Sequence, residues 1–148
     1  MTVEQFIKAT YDGAVAIEKK YGIPALAAMA QSAQETGWGS SAPGNMYFGI
    51  KAGGSWTGKT QLLWTTEYIG GIKTKVKALF RAYDSAAESF EDYARLITSN
   101  SRYKAALQYT ADPEQYIREV AKAGYATDPN YAANIIAVIN SIKKKLKR

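Results

Sequence analysis

The chain has 148 residues, 47% hydrophobic and 12% aromatic, and is expected to fold as one domain, residues 1–148, around one core. It contains no cysteine and no histidine, which excludes disulfide scaffolds, thiolate or imidazole metal sites, cysteine nucleophiles and Ser-His-Asp triads. Proton transfer near neutral pH then falls to a carboxyl group, a lysine or a tyrosine with a shifted pKa, while the formal charge of +6 favours polyanionic partners.

Thr2 and Gln5 form a capping-box pattern, and Val3, Phe6, Ile7, Ala14 and Ile17 follow at helical spacing to Tyr21-Gly22, interrupted at Gly13. Pro24 is expected as the first residue of a second helix, whose early part is apolar or small on every side, as in a helix buried mid-domain. That helix turns polar from Gln31 and ends at Gly37. The apolar run Ile23–Ala30 is far shorter than the roughly 20 residues that span a bilayer. Residues 37–58 combine glycines with Trp, Tyr and Phe, which marks an ordered functional loop rather than a linker.

Two β-branched and aromatic runs flank Gly70-Gly71 and predict a hairpin, with Lys73, Lys75 and Lys77 alternating along its second strand. Ser85 and Glu88 open a third helix with an apolar face of Phe90, Tyr93, Ala94 and Ile97. Short helices follow from Ser101 and from Asp112-Pro113, the latter stopping at Gly124. Asp128-Pro129 is expected to start the last helix, with its stripe at Ile135, Ile139, Ile142 and Leu146. The predicted class is α+β, mostly α, with a helical lobe and a small β-hairpin lobe flanking a groove.

Glu35 is the leading chemical candidate. It lies opposite the core face of the second helix and in its last turn, where partial desolvation and the helix dipole both raise a carboxyl pKa. A carboxyl kept protonated near neutral pH serves as a general acid; the competing reading is a solvated glutamate at a helix end. Glu67, on the hairpin, could act with it across the groove, or be an edge-strand charge that discourages strand addition.

Among the aromatics, Trp38 and Trp56 are candidates for an exposed, sugar-stacking wall, Tyr47 for the same surface, and Phe48 for a core anchor. Asn45 could close an Asx turn or reach an acetamido group. Tyr125 and Tyr131 frame the turn ATDPN, where Tyr125 either projects into the groove or packs. The terminal KKKLKR (143–148) is either a solvated helix end or an anchor to an anionic wall polymer or membrane.

The segment AMAQSAQETGWGSSAPGNMYFGIKA (28–52) resembles the signature of the family 73 glycoside hydrolases, the bacterial N-acetylglucosaminidases of autolysins, phage endolysins and the flagellar protein FlgJ. The likeness continues through WTTEY, VKALFRAYDSAAESFEDYARLI, SRYKAAL and AGYATDPNYAANI, covering roughly residues 23–140. It implies a lysozyme-like fold and cleavage of peptidoglycan glycan strands. By that likeness Glu35 matches the catalytic acid, Glu67 the second carboxylate on the β-lobe, and Tyr125 a tyrosine lining the cleft.

The function expected is hydrolysis of the β-1,4 bond on the reducing side of N-acetylglucosamine, with Trp38, Asn45, Tyr47, Trp56, Tyr125 and Tyr131 as substrate contacts. Neither metal nor cofactor is expected; the partners are glycan strands, not nucleic acid, and the chain is expected to be a monomer. The N-terminus lacks a basic region followed by an apolar one, so a phage-encoded, bacteriolytic enzyme released at lysis is the expected setting. A muramidase or lytic transglycosylase cutting after N-acetylmuramic acid is the alternative enzyme, and a non-catalytic wall- or nucleic-acid-binding module the alternative class.

Overall fold

The capping-box pattern at the N-terminus works as the sequence suggests. The Thr2 hydroxyl accepts from the Gln5 amide N–H at 3.1 Å, and the Gln5 side chain accepts from the Thr2 N–H at 2.8 Å. From there α1 runs unbroken over Val3–Tyr21. Gly13 does not interrupt it; the glycine is buried because α3 (Ala86–Ser99) crosses there, and a Cβ would stand 3.3 Å from the Ala87 backbone. The computed structural model describes residues 1–146.

The α2 helix, Ala25–Thr36, is the central element, and Pro24 sits at its N-cap rather than inside its first turn. Ala27, Ala28, Met29, Ala30 and Ala33 are fully or almost fully buried. Small side chains on nearly every face let α1, α4 (Pro113–Lys122) and α5 (Tyr131–Leu146) approach it closely. Ile117 and Val120 of α4, with Ile135, Ile139 and Ile142 of α5, complete that side of the core with no exposed surface. Each such side chain contributes about 1.5–3 kcal/mol by leaving water. The last helix starts at Tyr131, two residues past Pro129, because the Asp128 carboxylate accepts the Asn130 N–H and closes an Asx turn first.

The hairpin pairs β1 (Thr60–Ile69) with β2 (Ile72–Arg81), antiparallel, in the register Ile69↔Ile72 through Thr60↔Arg81. Gly70 and Gly71 both adopt positive φ, 59° and 81°, the requirement of a two-residue primed turn that matches strand twist. The segment 50–52 runs beside β2, with Arg81 N–H donating to Ile50 O and Ala52 N–H to Leu79 O, both at 2.9 Å. The base of β2 is fixed to α3 (Ala86–Ser99) by Asp92, which is 4% exposed. Its carboxylate accepts from Arg81 Nη1 at 3.0 and 3.2 Å and from the Tyr83 hydroxyl at 2.6 Å. Burial, then the bond to Asp92, pushes the Tyr83 hydroxyl pKa far up. The result is the predicted architecture: a helical lobe carrying one two-stranded antiparallel sheet. Lys143, Lys144 and Lys145 form the last turn of α5, where Lys145 pairs with Glu4 at 2.8 Å. Lys147 and Arg148 of the basic tail lie outside the described residues.

Candidate active site

Glu35 is the penultimate residue of α2, and Gly37, in the left-handed conformation, terminates the helix immediately after it. The last turn of α2 carries no basic residue, so nothing local offsets the partial negative charge of the helix end. The Glu35 side chain borders a cleft of about 370 Å³. One wall is α2 itself, through Gln31, Gln34 and Glu35; the facing walls are Phe48, Gly49 and Ile50, Leu96 of α3, Tyr103, and Tyr125, Ala126 and Tyr131.

Two observations describe the carboxyl. Solvent reaches the residue through the open mouth of the cleft, so by area it counts as exposed. Protein nevertheless crowds the acid group, and this desolvation raises the Glu35 pKa above the ordinary carboxylate value. The crowding is visible at Gly49, where even a Cβ would collide with Glu35 Oε1 and stand 3.1 Å from Cδ. The charge of Glu35 is also felt by Tyr125 and Tyr131, whose hydroxyl pKa values are raised chiefly by burial and further by neighbouring groups including this carboxylate. The Tyr131 hydroxyl is pushed up to about 12, so both tyrosines remain neutral donors. Among the described residues, no side chain hydrogen-bonds to or ion-pairs with the Glu35 carboxyl.

From the lining residues Gln31 and Tyr131 a polar ladder set in aromatic rings runs back into the core. Gln31 Nε2 donates to the Tyr131 hydroxyl at 2.8 Å, the Tyr93 hydroxyl donates to Gln31 Oε1, and the Tyr116 hydroxyl lies 2.8 Å from that of Tyr93. Tyr125 packs edge-on against Tyr93 and Tyr103, at centroid distances of 6.3 and 6.2 Å, and lies 5.9 Å from Tyr131. Phe48 stacks on Tyr93 at 4.1 Å. Buried polar groups satisfied in this way fix one orientation of the ladder and hence of the cleft wall.

Glu67 sits on the half-buried face of β1 and is ion-paired with Lys51. It is not among the residues lining the Glu35 cleft, and neither is any other residue of the hairpin. What borders the cleft on that side is the 48–50 segment leading into the strand-like stretch beside β2. Tyr125 and Tyr131 do line the cleft with Glu35. The other four candidate contacts lie elsewhere. Trp38 packs edge-on against Phe6 at 5.5 Å, and Tyr47, 5% exposed, sits between Phe6 and Phe90. The Asn45 amide donates to Tyr83 O at 3.0 Å, tying its turn to the core. The Trp56 indole N–H donates to Lys59 O at 3.0 Å, with the Arg81 guanidinium 4.7 Å above its ring. Gln31, Gly49 and Tyr103 were not singled out by the sequence. Gln31 carries a usable signal, since it stands four residues before Glu35 and shares its helix face.

Comparison with known proteins settles the kinship. The family model for glucosaminidase, mannosyl-glycoprotein endo-beta-N-acetylglucosaminidase, matches residues 11–144. The chain belongs to the glucosaminidase family. Peptidoglycan hydrolase FlgJ of Pseudomonas aeruginosa is 37% identical over 149 residues, 96% of this chain and 37% of that protein. Exo-glucosaminidase LytG of Bacillus subtilis is 30% identical over 142 residues, 90% of this chain and 49% of that protein. The chain thus spans between about a third and half of the length of these curated relatives. Among solved structures, a peptidoglycan hydrolase mutant from Sphingomonas sp. A1 superposes with a TM-score of 0.86, at 38% identity and 97% coverage of both chains. The glycoside hydrolase domain of Salmonella typhimurium FlgJ, C-terminally truncated, gives 0.83 at 38% identity, covering 97% of this chain and 99% of that one. The likeness extends over the whole α+β framework, the lysozyme-like fold of this family of glycoside hydrolases.

Proposed function

We propose that this chain hydrolyses bacterial peptidoglycan, cleaving the β-1,4 bond on the reducing side of N-acetylglucosamine, and so acts on the cell wall in the periplasm or outside the cell. The observation that carries the reading is one carboxyl, desolvated and without a cationic partner, at the edge of an aromatic-lined cleft. Glu35 protonates the glycosidic oxygen as the sugar gains oxocarbenium character; its raised pKa keeps more of the carboxyl in the proton-bearing form than an ordinary glutamate would hold. The flat faces of Tyr125 and Tyr131 pack against sugar rings, and their hydroxyls, neutral throughout the working range, bond sugar oxygens.

On one route water adds to the sugar carbon on the opposite side of the ring as the bond to the leaving oxygen breaks, and Glu67 takes its proton. On the other the acetamido oxygen of the substrate itself attacks that carbon as the same bond breaks, and water, giving its proton to the Glu35 carboxylate, then opens the oxazolinium ring. The pairing of Glu67 with Lys51, away from the lining of the Glu35 cleft, favours the acetamido route with Glu67 in a supporting part. The test is turbidity clearance of purified peptidoglycan. Glu35→Gln keeps the fold and loses about 100- to 10,000-fold in rate, the worth of a positioned general acid. Glu67→Gln loses less. Clearance by Glu35→Gln at the wild-type rate refutes the assignment, and loss by Glu67→Gln as complete as that of Glu35→Gln refutes the acetamido route.

A further inference from the structure

The alternation of the hairpin divides its side chains between two faces. One carries Glu67 and is half-buried; the other carries Leu62, Trp64, Thr66 and Tyr68 from β1 opposite Leu79, Lys77, Lys75 and Lys73 from β2. On that outer face Trp64 is 66% exposed, Tyr68 73%, and Leu62 and Leu79 are more than half exposed. At the tip, Ile69 and Ile72 flank the glycine turn at 55% and 71% exposure. These are six of the eight exposed large hydrophobic side chains among the described residues, gathered on one small element. By the same alternation Ile69 and Ile72 stand on the Glu67 side at the very tip, so the exposed apolar side chains run along the outer face and around the tip. Such a concentration on one element marks an interaction site rather than a random surface.

The cations on this face are equally unusual. Among the described residues Lys73, Lys75 and Lys77 form no ion pair, and the face holds no acidic side chain. Lys77 instead lies over the Trp64 ring, 5.1 Å from its centroid. Three uncompensated ammonium groups among Trp, Tyr, Leu and Ile match the composition of a surface that lies at a lipid–water interface. There the aromatics sit at headgroup depth, lysine stems run along apolar surface with their charges at the phosphates, and aliphatic residues reach the acyl boundary. A polyanionic sugar or phosphate polymer would use the lysines and aromatics but has no use for four exposed aliphatic side chains, two of them at the tip.

We propose that the outer face and tip of the β-hairpin dock the protein on the surface of an anionic phospholipid bilayer. Because Glu67 projects from the opposite face and no hairpin residue lines the Glu35 cleft, docking leaves the cleft open to a glycan strand. The inference is independent of the glycosidic bond cleaved.

The test is cosedimentation of the full chain with vesicles of phosphatidylcholine mixed with phosphatidylglycerol, and with phosphatidylcholine alone, together with tryptophan emission. The wild type binds the anionic vesicles only, the binding weakens with salt, and the emission moves to the blue, a shift absent from Trp64→Phe. Lys73→Gln/Lys75→Gln/Lys77→Gln weakens binding on the order of a hundred-fold, from three cations near an anionic leaflet. Ile69→Ser/Ile72→Ser abolishes the emission shift while leaving circular dichroism unchanged. Three outcomes overturn the proposal. The first is no binding to anionic vesicles, which leaves the lysines as guards against edge pairing. The second is unchanged binding by the triple variant with loss in Lys143→Gln/Lys144→Gln/Lys145→Gln, which moves the anchor to the end of α5. The third is displacement by a soluble polyglycerol phosphate with Ile69→Ser/Ile72→Ser binding as wild type, which makes the face a polyanion site. Should the triple variant fail to fold, the emission of wild-type protein against Trp64→Phe decides alone.

Discussion

Replacing Gly49 with alanine probes the geometry around the proposed acid more sharply than removing the acid. Gly49 has φ of +60°, a region where an L side chain costs roughly 1–2 kcal/mol. For a chain of this size, that strain lowers Tm by about 3–8 °C. The added methyl group also occupies the place of Glu35 Oε1, so the carboxylate must rotate away or the 48–50 segment must retreat. A misplacement near 1 Å in a reacting group costs about 100-fold in rate. Gly49→Ala is therefore expected to remain folded, melt a few degrees lower, and clear peptidoglycan about 100-fold more slowly with little change in KM. Gly53→Ala, on the same loop with nothing within 4 Å of its Cβ, is the control and should match wild type in both assays. Wild-type turnover by Gly49→Ala would show that the position of the Glu35 carboxyl is not what limits the reaction.

The pH profile follows from the same crowding. Because burial raises the Glu35 pKa, kcat should fall as pH rises through a value above the ordinary carboxylate range; an alkaline limb absent or at the ordinary value contradicts this. The stability linkage has the same sign. The folded state binds the Glu35 proton more tightly than the unfolded chain, so this contribution is complete below the unfolded pKa and is lost as pH rises through the folded one. Glu35→Gln should thus melt no lower than wild type at neutral pH and gain on it relative to acid pH; a uniform loss at both would refute the desolvation argument. At the base of the hairpin, Asp92→Ala strands the Arg81 guanidinium, 19% exposed in its side chain, and should cost about 3–5 kcal/mol in denaturant unfolding; a loss under 1 kcal/mol would show that Arg81 finds water instead.

Much of the framework was legible because it is written in local chemistry. Thr2-x-x-Gln5, Ser85 before Glu88, Asp112-Pro113 and Gly70-Gly71 each satisfy backbone groups or φ angles within a few residues, and each lies at an element boundary in the structure. Gly13 misled because its reason is tertiary: α3 crosses α1 there, a contact that helix propensity does not report. The surroundings of Glu35 were readable in part. Its place in the last turn and opposite the core face follows from helical periodicity, and Tyr125 and Tyr131 from the turn that they frame. The aromatic loop was harder, since Trp38, Tyr47 and Trp56 have the same composition whether they hold the loop or line a groove. Here they hold it, by packing on Phe6 and Phe90 and by bonding the backbone of Lys59. Gly49 and the Gln31–Tyr93–Tyr116 ladder depend on contacts between residues far apart in the chain, which no spacing rule encodes.

Digestion of purified peptidoglycan, followed by mass spectrometry of the newly formed sugar ends, meets the whole reading at once. Wild-type protein should release chains ending in reducing N-acetylglucosamine, and Glu35→Gln should release almost none in the same time. Ends in reducing or anhydro N-acetylmuramic acid, or an undiminished yield from Glu35→Gln, would mean that another bond is cut or that another group supplies the proton.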